Sequence, residues 1–247
     1  MLGLDVQRRV NALNLLRPRD FAVRMQRCPF CGPSVIVRLL RDETGVRCVR
    51  CGASAVHLAI GHALRQHAPR LDACTVCELS ARGPLARYLA RRAHRVVLSE
   101  YLPGVPTGTL RGGVRCEDVQ NLSYADTSFD LVTHTEVLEH VADDARAFAE
   151  LRRVLRPGGL MLFTVPLHEG PTRERARPHH GEIEHLQPPA YHGDPLRGGA
   201  AILVFRDYGT DIVARLLKAG FAEARIESAV ASTTYWGYAR AVILARR

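Results

Sequence analysis

Two C-x-x-C-G knuckles, Cys28-Pro29-Phe30-Cys31-Gly32 and Cys48-Val49-Arg50-Cys51-Gly52, stand sixteen residues apart. Each can present two thiolates from a tight turn that its glycine permits. Two such turns closing across a hairpin complete a tetrahedral four-sulfur site for zinc. Four thiolates fill zinc's usual coordination, so a metal held by Cys28, Cys31, Cys48 and Cys51 is expected to be structural rather than catalytic. Its binding energy, on the order of 10 kcal/mol or more, would order a segment too short to bury a core. Reduced, unligated cysteines or a redox pair are the alternatives. A third C-x-x-C, Cys74 to Cys77, is not expected to chelate, because residues three apart in a strand point to opposite faces.

A second concentration of reactive side chains lies between Leu167 and Gly199, which reads as one long irregular segment with five prolines and five histidines. The five histidines with Glu169, Glu182, Glu184 and Asp194 could bind a metal, but no pair has helical ligand spacing, so a lid or disordered insert is the expectation. Within it Tyr191-His192-Gly193-Asp194-Pro195 sets an imidazole beside a carboxylate. His192 is the candidate general base and Asp194 its orienter. Upstream, Glu139 and His140 are ambiguous, His140 being as suited to capping or packing as to base chemistry.

These residues need a frame, and Phe129 to Pro166 supplies its signature: an apolar strand, a crossover helix and a second apolar strand, one βαβ unit of a parallel sheet. The helix carries Phe148, Leu151, Val154 and Leu155 at three and four residue steps, with Asp143 and Asp144 at its positive end and Arg152, Arg153 and Arg156 at the other. Pro157-Gly158-Gly159 is expected to stop it. Ala73 to Glu78 and Arg95 to Ser99 read as strands one and two and Val114 to Cys116 as the third. Ala222 to Ala229 and Ala239 to Ala245 are the last two. Ser54 to His67 is a helix capped by Ser54, and Met1 to Asn14 has the spacing of an amphipathic one.

FDLV, EVLEHV and LRRVLRPGGLMLFTVP, in that order, resemble the fourth-to-fifth strand segment of class I S-adenosylmethionine-dependent methyltransferases of the type 11-like kind. The resemblance implies an α/β, Rossmann-like seven-stranded sheet with its final strand antiparallel, here preceded by a small zinc-ribbon module. Glu78-Leu79-Ser80-Ala81-Arg82-Gly83-Pro84 occupies the place of the family's acidic, glycine-rich loop, with Ser80, Arg82 and Pro84 at the glycine positions and Gly83 kept nearby. Adenosylmethionine has no phosphate; it needs acceptors for its ammonium and ribose hydroxyls and donors for its carboxylate, which Glu78, the backbone around Ser80, and Arg82 can provide. Glu100 lies 22 residues beyond Glu78, the spacing of a ribose acceptor at the end of a second strand, or of a merely solvated acid. The family places Tyr101 beside the adenine, and an acid at Asp118, with Glu117 as fallback, on the adenine amino group, with Val119 adding a backbone or apolar contact. Thr135, following the fourth strand, is expected to border the pocket.

The net charge of +9 is carried almost wholly by arginine. Residues 1–70 hold 12 Arg against four acids, whereas the remainder holds 22 basic residues against 21 acidic ones. A basic N-terminal module could grip nucleic acid, or its charge could balance the net −2 of a zinc-bound tetrathiolate. No run of some 18 apolar residues is present, so no membrane span or signal peptide is expected, and a cytoplasmic location is the default. The expected organisation is residues 1–69 as helix, zinc ribbon and linking helix, and residues 70–247 as methyltransferase domain with an insert at about 167–199. The favoured function is methyl transfer to a small-molecule or glycan-type acceptor. RNA methylation, or a degenerate fold acting as a scaffold, are the alternatives.

Overall fold

The structure, a computed structural model, describes residues 18–194, 200–227, 235–238 and 240–247. The helix expected at 1–14 lies outside the described residues. The chain opens with an antiparallel three-stranded sheet, β1 (Ala22–Cys28), β2 (Gly32–Arg38) and β3 (Val46–Cys48), in that spatial order. Helix α1 (Ala55–His67) follows. Its N-cap Ser54 works through His57, whose Nδ1 lies 2.7 Å from the Ser54 hydroxyl. Burial, with Arg47 and Arg87 nearby, pushes the His57 pKa down to about 4, so the ring is neutral and can accept at Nδ1.

The remainder is a doubly wound layer. In chain order its strands are β4 (Thr75–Glu78), β5 (Arg95–Glu100), β6 (Leu110–Arg111), β7 (Val114–Cys116), β8 (Phe129–Thr135) and β9 (Leu155–Thr164). After the short strands β10 (Arg173–Glu174), β11 (Ala176–His179), β12 (Glu182–His185), β13 (Tyr191–Asp194), β14 (Ala200–Leu203) and β15 (Arg206–Asp207) come β16 (Glu223–Glu227) and β17 (Val242–Arg246). The sheet order is β16-β17-β9-β8-β4-β5-β7-β6, with β17 antiparallel to β9 and the run from β9 to β7 parallel. Eight strands replace the expected seven. The extra one, β6, is a two-residue edge strand paired with β7 across Gly112 and Gly113, both at positive φ, a tight turn too short to give a hydrophobic period.

Alternation along the inner strands sorts the core into two layers. On one face Val76, Leu131, Leu162 and Leu244 meet α1 and α2 (Gly83–Arg92) through Ile60, Leu64, Leu85 and Leu89. On the other Cys77, Val132, Met161 and Ile243 meet α3 (Asp144–Val154) and α4 (Ile212–Lys218) through Phe148, Leu151, Ile212 and Leu216. Cys74 packs at the first layer and Cys77 lies in the second, so that C-x-x-C pair is split by the sheet. Asp143 caps α3 by accepting from the Arg146 N–H. The helix ends at Val154 and the ladder begins at once with Leu155 opposite Phe129; a register shift and Gly158 at positive φ absorb the R-P-G-G stretch that was expected to be only a stop.

The stretch from 167 to 199 is not the irregular segment expected. Its described part holds the antiparallel pair β11 with β12 and pairs β10 with β15 and β13 with β14, strands of the following segment. Strands of two to four residues with a proline at Pro178 carry too few residues for alternation to show in composition.

Candidate active site

The carboxyl ends of β4 and β8 flank the point where the strand order reverses, the position where open α/β sheets bind ligands. Glu78 closes β4 at 1% exposure and accepts a hydrogen bond from the Thr133 hydroxyl on β8. Burial pushes its pKa up to about 8, against the Thr133 bond and with Glu100 adding to the rise. At neutral pH this side chain is therefore largely a neutral acid that an arriving cation would ionise. Glu100 ends β5 and accepts at Oε1 from the Ser80 hydroxyl (3.1 Å) and the Ala81 N–H (2.9 Å). The depleted loop thus closes on the second-strand acid, and Glu78, Ser80 and Glu100 form one group. Gly83 begins α2 at φ +99, a conformation that L side chains rarely adopt.

Asp118 follows β7 and accepts from the Gln120 backbone (2.9 Å) and side chain (3.1 Å). Glu117 is buried and engaged by Thr107, Arg115 and Ser123, so it holds the loop together. Val119 spends its side chain in the core, leaving its backbone for contacts, while Tyr101 is exposed and Thr135 half-buried at the end of β8. Three acidic side chains at neighbouring strand ends, Glu78, Glu100 and Asp118, make an acceptor set suited to a ligand carrying positive charge and hydroxyl donors.

Beyond β8 the backbone turns sharply, with Glu136 at φ +53, a rare value for a residue with a side chain. The Glu136 carboxylate meets Arg240 at 3.1 Å. The following turn presents Glu139 and His140, and the 200–207 segment holds it in place. Phe205 N–H donates to the Glu139 carbonyl, and the buried Arg206 guanidinium donates to the carbonyls of Val141 and Ala142. Arg206 also pairs with Glu174, and Arg215 links Glu174 to the buried Asp144, which accepts from Tyr208. His140 Nδ1 lies 2.8 Å from the Leu203 carbonyl, which fixes the proton there and leaves Nε2 a lone pair.

His192 on β13 meets that lone pair, Nδ1 to Nε2, at 3.3 Å. It lines a cleft of about 210 Å³ together with Glu139, Leu167, His168, Arg173 and Asp207. The partners gathered around His192 are therefore Glu139 and His140; β13 holds Asp194 opposite Ala200 in the backbone ladder, and the Asp194 side chain lies outside what is described. Fifty-two residues separate His140 from His192, and only the strand pairing of the insert could have revealed that they meet.

At the N-terminal sheet the four cysteines converge. Cys28 and Cys51 sulfurs lie 3.7 Å apart, Cys31 and Cys48 sulfurs 3.5 Å, and all four lie within 4.8 Å of one another. A tetrahedron with Zn–S bonds of about 2.3 Å has edges of about 3.8 Å. Gly32 and Gly52 both take positive φ after their knuckles. Burial alone would raise the Cys48 thiol, but the Ser34 hydroxyl and the N–H groups of Cys51 and Arg50 hold it below its ordinary value. The module is docked on the large domain: Phe30 packs against Tyr88 with ring centroids 4.9 Å apart, Arg65 donates to the Pro29 carbonyl, and Arg87 to the Cys51 carbonyl. Tyr235, from the segment joining β16 to β17, is buried in the module's core with its hydroxyl 3.2 Å from His62. Beside it Trp236 lies under Arg24 and Arg38. No helix among the described residues is long and apolar enough to cross a membrane.

Residues 77–163 match the family model described as a methyltransferase domain. An uncharacterized 37.1 kDa transposon protein of Streptomyces fradiae is 47% identical over 53 residues, which is 22% of this chain and 15% of that protein. A probable S-adenosylmethionine-dependent methyltransferase of Mycolicibacterium smegmatis is 39% identical over 56 residues, 23% of this chain and 22% of that one. The matched stretches thus span less than a quarter of either relative. Among solved structures, 1,6-didemethyltoxoflavin-N1-methyltransferase of Burkholderia thailandensis, crystallised with S-adenosylhomocysteine, superposes with a TM-score of 0.52 at 20% identity over 78% of each chain, a likeness of fold. Residues 77–163 thus resemble a methyltransferase domain, and the sheet around them shares the fold of a solved methyltransferase.

Proposed function

We propose that the protein is an S-adenosylmethionine-dependent methyltransferase acting on a small-molecule acceptor, with a zinc ribbon formed by Cys28, Cys31, Cys48 and Cys51. The observation that carries the first half is the grouping of Glu78, Ser80 and Glu100 at the strand-order reversal of a sheet whose central segment matches a methyltransferase domain. In this reading Glu78 receives the ligand's ammonium, Glu100 its ribose hydroxyls and Asp118 its adenine amino group, with Tyr101, Val119 and Thr135 at the walls. Adenosylmethionine, when bound, supplies an electrophilic methyl on a positively charged sulfur. The chain's task is to hold an acceptor in line with that methyl, exclude water and take up any proton the acceptor releases. The cleft beside Glu139, His140 and His192 is the acceptor side, roofed by the strand pairs of the insert. For the ribbon, the near-tetrahedral sulfur spacing and closed coordination support zinc in a structural role.

Isothermal calorimetry with adenosylmethionine and adenosylhomocysteine tests the reading. Saturable binding of about one equivalent to the wild-type protein is expected. No heat from either ligand, with the protein folded and metal-loaded, would leave a methyltransferase fold without its activity.

A further inference from the structure

Glu139, His140 and His192 form a second cluster that the binding of adenosylmethionine does not use. Glu139 is 1% exposed, and among the described residues neither of its carboxylate oxygens has a hydrogen-bond partner. A buried carboxyl whose oxygens lack a hydrogen-bond partner is a position that a cation or a donor would match. Its Oε1 faces both imidazoles, 3.8 Å from His140 Nε2 and 3.9 Å from His192 Nδ1, while those nitrogens are 3.3 Å apart. A point at the centre of that triangle is about 2.1 Å from each atom, the length of a metal bond to imidazole nitrogen or carboxylate oxygen. The tautomer also fits. With its Nδ1–H donating to the Leu203 carbonyl, the neutral His140 ring directs Nε2 toward the centre, the arrangement that orients metal-bound histidine elsewhere. A plain hydrogen bond between the two rings would satisfy His140 and His192 but leave both Glu139 oxygens unmatched.

We propose that Glu139, His140 and His192 bind a divalent cation, and that the acceptor is a hydroxyl-bearing molecule whose oxygen completes the coordination. The cation site stands on this geometry alone; the acceptor class rests on the methyltransferase reading above. Three protein ligands leave positions open, and the open side faces the cleft that Glu139 and His192 both line, the His192 side chain being 46% exposed. One carboxylate and two neutral imidazoles hold a divalent ion with net positive charge, which acidifies a bound hydroxyl. A hydroxyl oxygen needs that help, being a poor nucleophile until it sheds its proton. The proton passes to solvent along the exposed edge at His192. The oxygen's electron pair forms the new bond to the methyl carbon, and the S–CH₃ bonding pair returns to sulfur, leaving a neutral thioether. His192 thereby serves as a ligand rather than as a free base with Asp194.

The test uses full-length protein with its ribbon loaded with zinc, so that the soft thiolates are occupied, titrated with Mn²⁺ and followed by electron paramagnetic resonance. One Mn²⁺ per chain is expected to bind, and Glu139→Gln and His192→Ala are each expected to weaken it at least tenfold. Adenosylmethionine affinity, measured by calorimetry on the same samples, should stay at the wild-type value in both variants and certifies that they are folded. Absence of Mn²⁺ binding to the wild type, or equal binding by the variants, would overturn the site. A normal Mn²⁺ response in protein that binds no adenosylmethionine would remove the methyltransferase reading and leave the cation site standing.

Discussion

The molecule holds two clusters of metal-ligating side-chain types, of opposite design. The four cysteines close on each other from two local turns in a module with little core of its own, and Cys28 and Cys48 are fully covered. Glu139, His140 and His192 come from a turn after β8 and a strand of the insert, and one ligand stands open to a cleft. A closed set has nothing left to offer a substrate, so its contribution goes into the fold; an open set keeps coordination free and depends on the fold to assemble it. The positioning apparatus reflects this. The cysteine turns need only Gly32 and Gly52, whereas the open cluster is held by Phe205, Arg206 and the Leu203 carbonyl from a distant stretch.

The largest effect is expected where the closed set is broken. Cys48→Ser together with Cys51→Ser should abolish the single ribbon zinc and melt the module, a loss on the order of several kcal/mol; zinc content by elemental analysis and thermal unfolding check it, and unchanged zinc would refute the tetrathiolate. Next is the seam between the module and the large domain. Gly61, midway along α1, packs so closely that an added Cβ would come within 2.7 Å of both Phe30 and Pro29. Gly61→Ala should therefore destabilise by roughly 1–3 kcal/mol despite its better helix propensity, seen as a lowered denaturation midpoint; a gain in stability would mean that the module is only loosely docked.

On the open side, Glu100→Ala should weaken adenosylmethionine at least about tenfold, because it removes the proposed ribose acceptor and also frees the Ser80–Ala81 loop that Glu100 holds. Equal calorimetric affinity in variant and wild type would mark Glu100 as a loop anchor only. The smallest effect is expected at the β11–β12 hairpin. Its tip is exposed and its Arg177–Glu184 pair is a surface one. Replacing residues 178–183 by a short glycine turn should leave adenosylmethionine affinity unchanged, and a marked loss would show that the hairpin supports the cofactor side.

Much of the frame was legible because it is local. The Phe129 to Pro166 stretch has a strand period, a helix period and capping residues in unbroken sequence, and the knuckles carry their own spacing. The acids at Glu78 and Glu100 could be located because strand ends follow from those periods. The partners of His192 could not. Its meeting with His140 depends on β13 pairing with β14, and on Leu203 of that strand reaching back to the Glu139–His140 turn, none of which leaves a periodic trace. The same lack of trace turned the insert into apparent coil, and a two-residue edge strand escaped for the same reason. Val119, expected by resemblance to supply a backbone or apolar contact, has its side chain in the core, which leaves its backbone for that role.

The buried Tyr235 has a consequence for how the chain reaches this state. Its hydroxyl meets His62 across 173 residues of sequence, and its ring completes the core of a module whose other members lie between Cys28 and Leu58. Contacts so distant along the chain form late and slowly, because loop closure must precede the gain they bring. During synthesis the cysteine turns emerge first and can be metallated early, but the slot that Tyr235 fills stays open until the edge of the sheet is in place. Acquisition of the proposed zinc and final closure of the module would then be separate events in time, and hydrogen exchange pulsed during refolding should see the first protected well before the second.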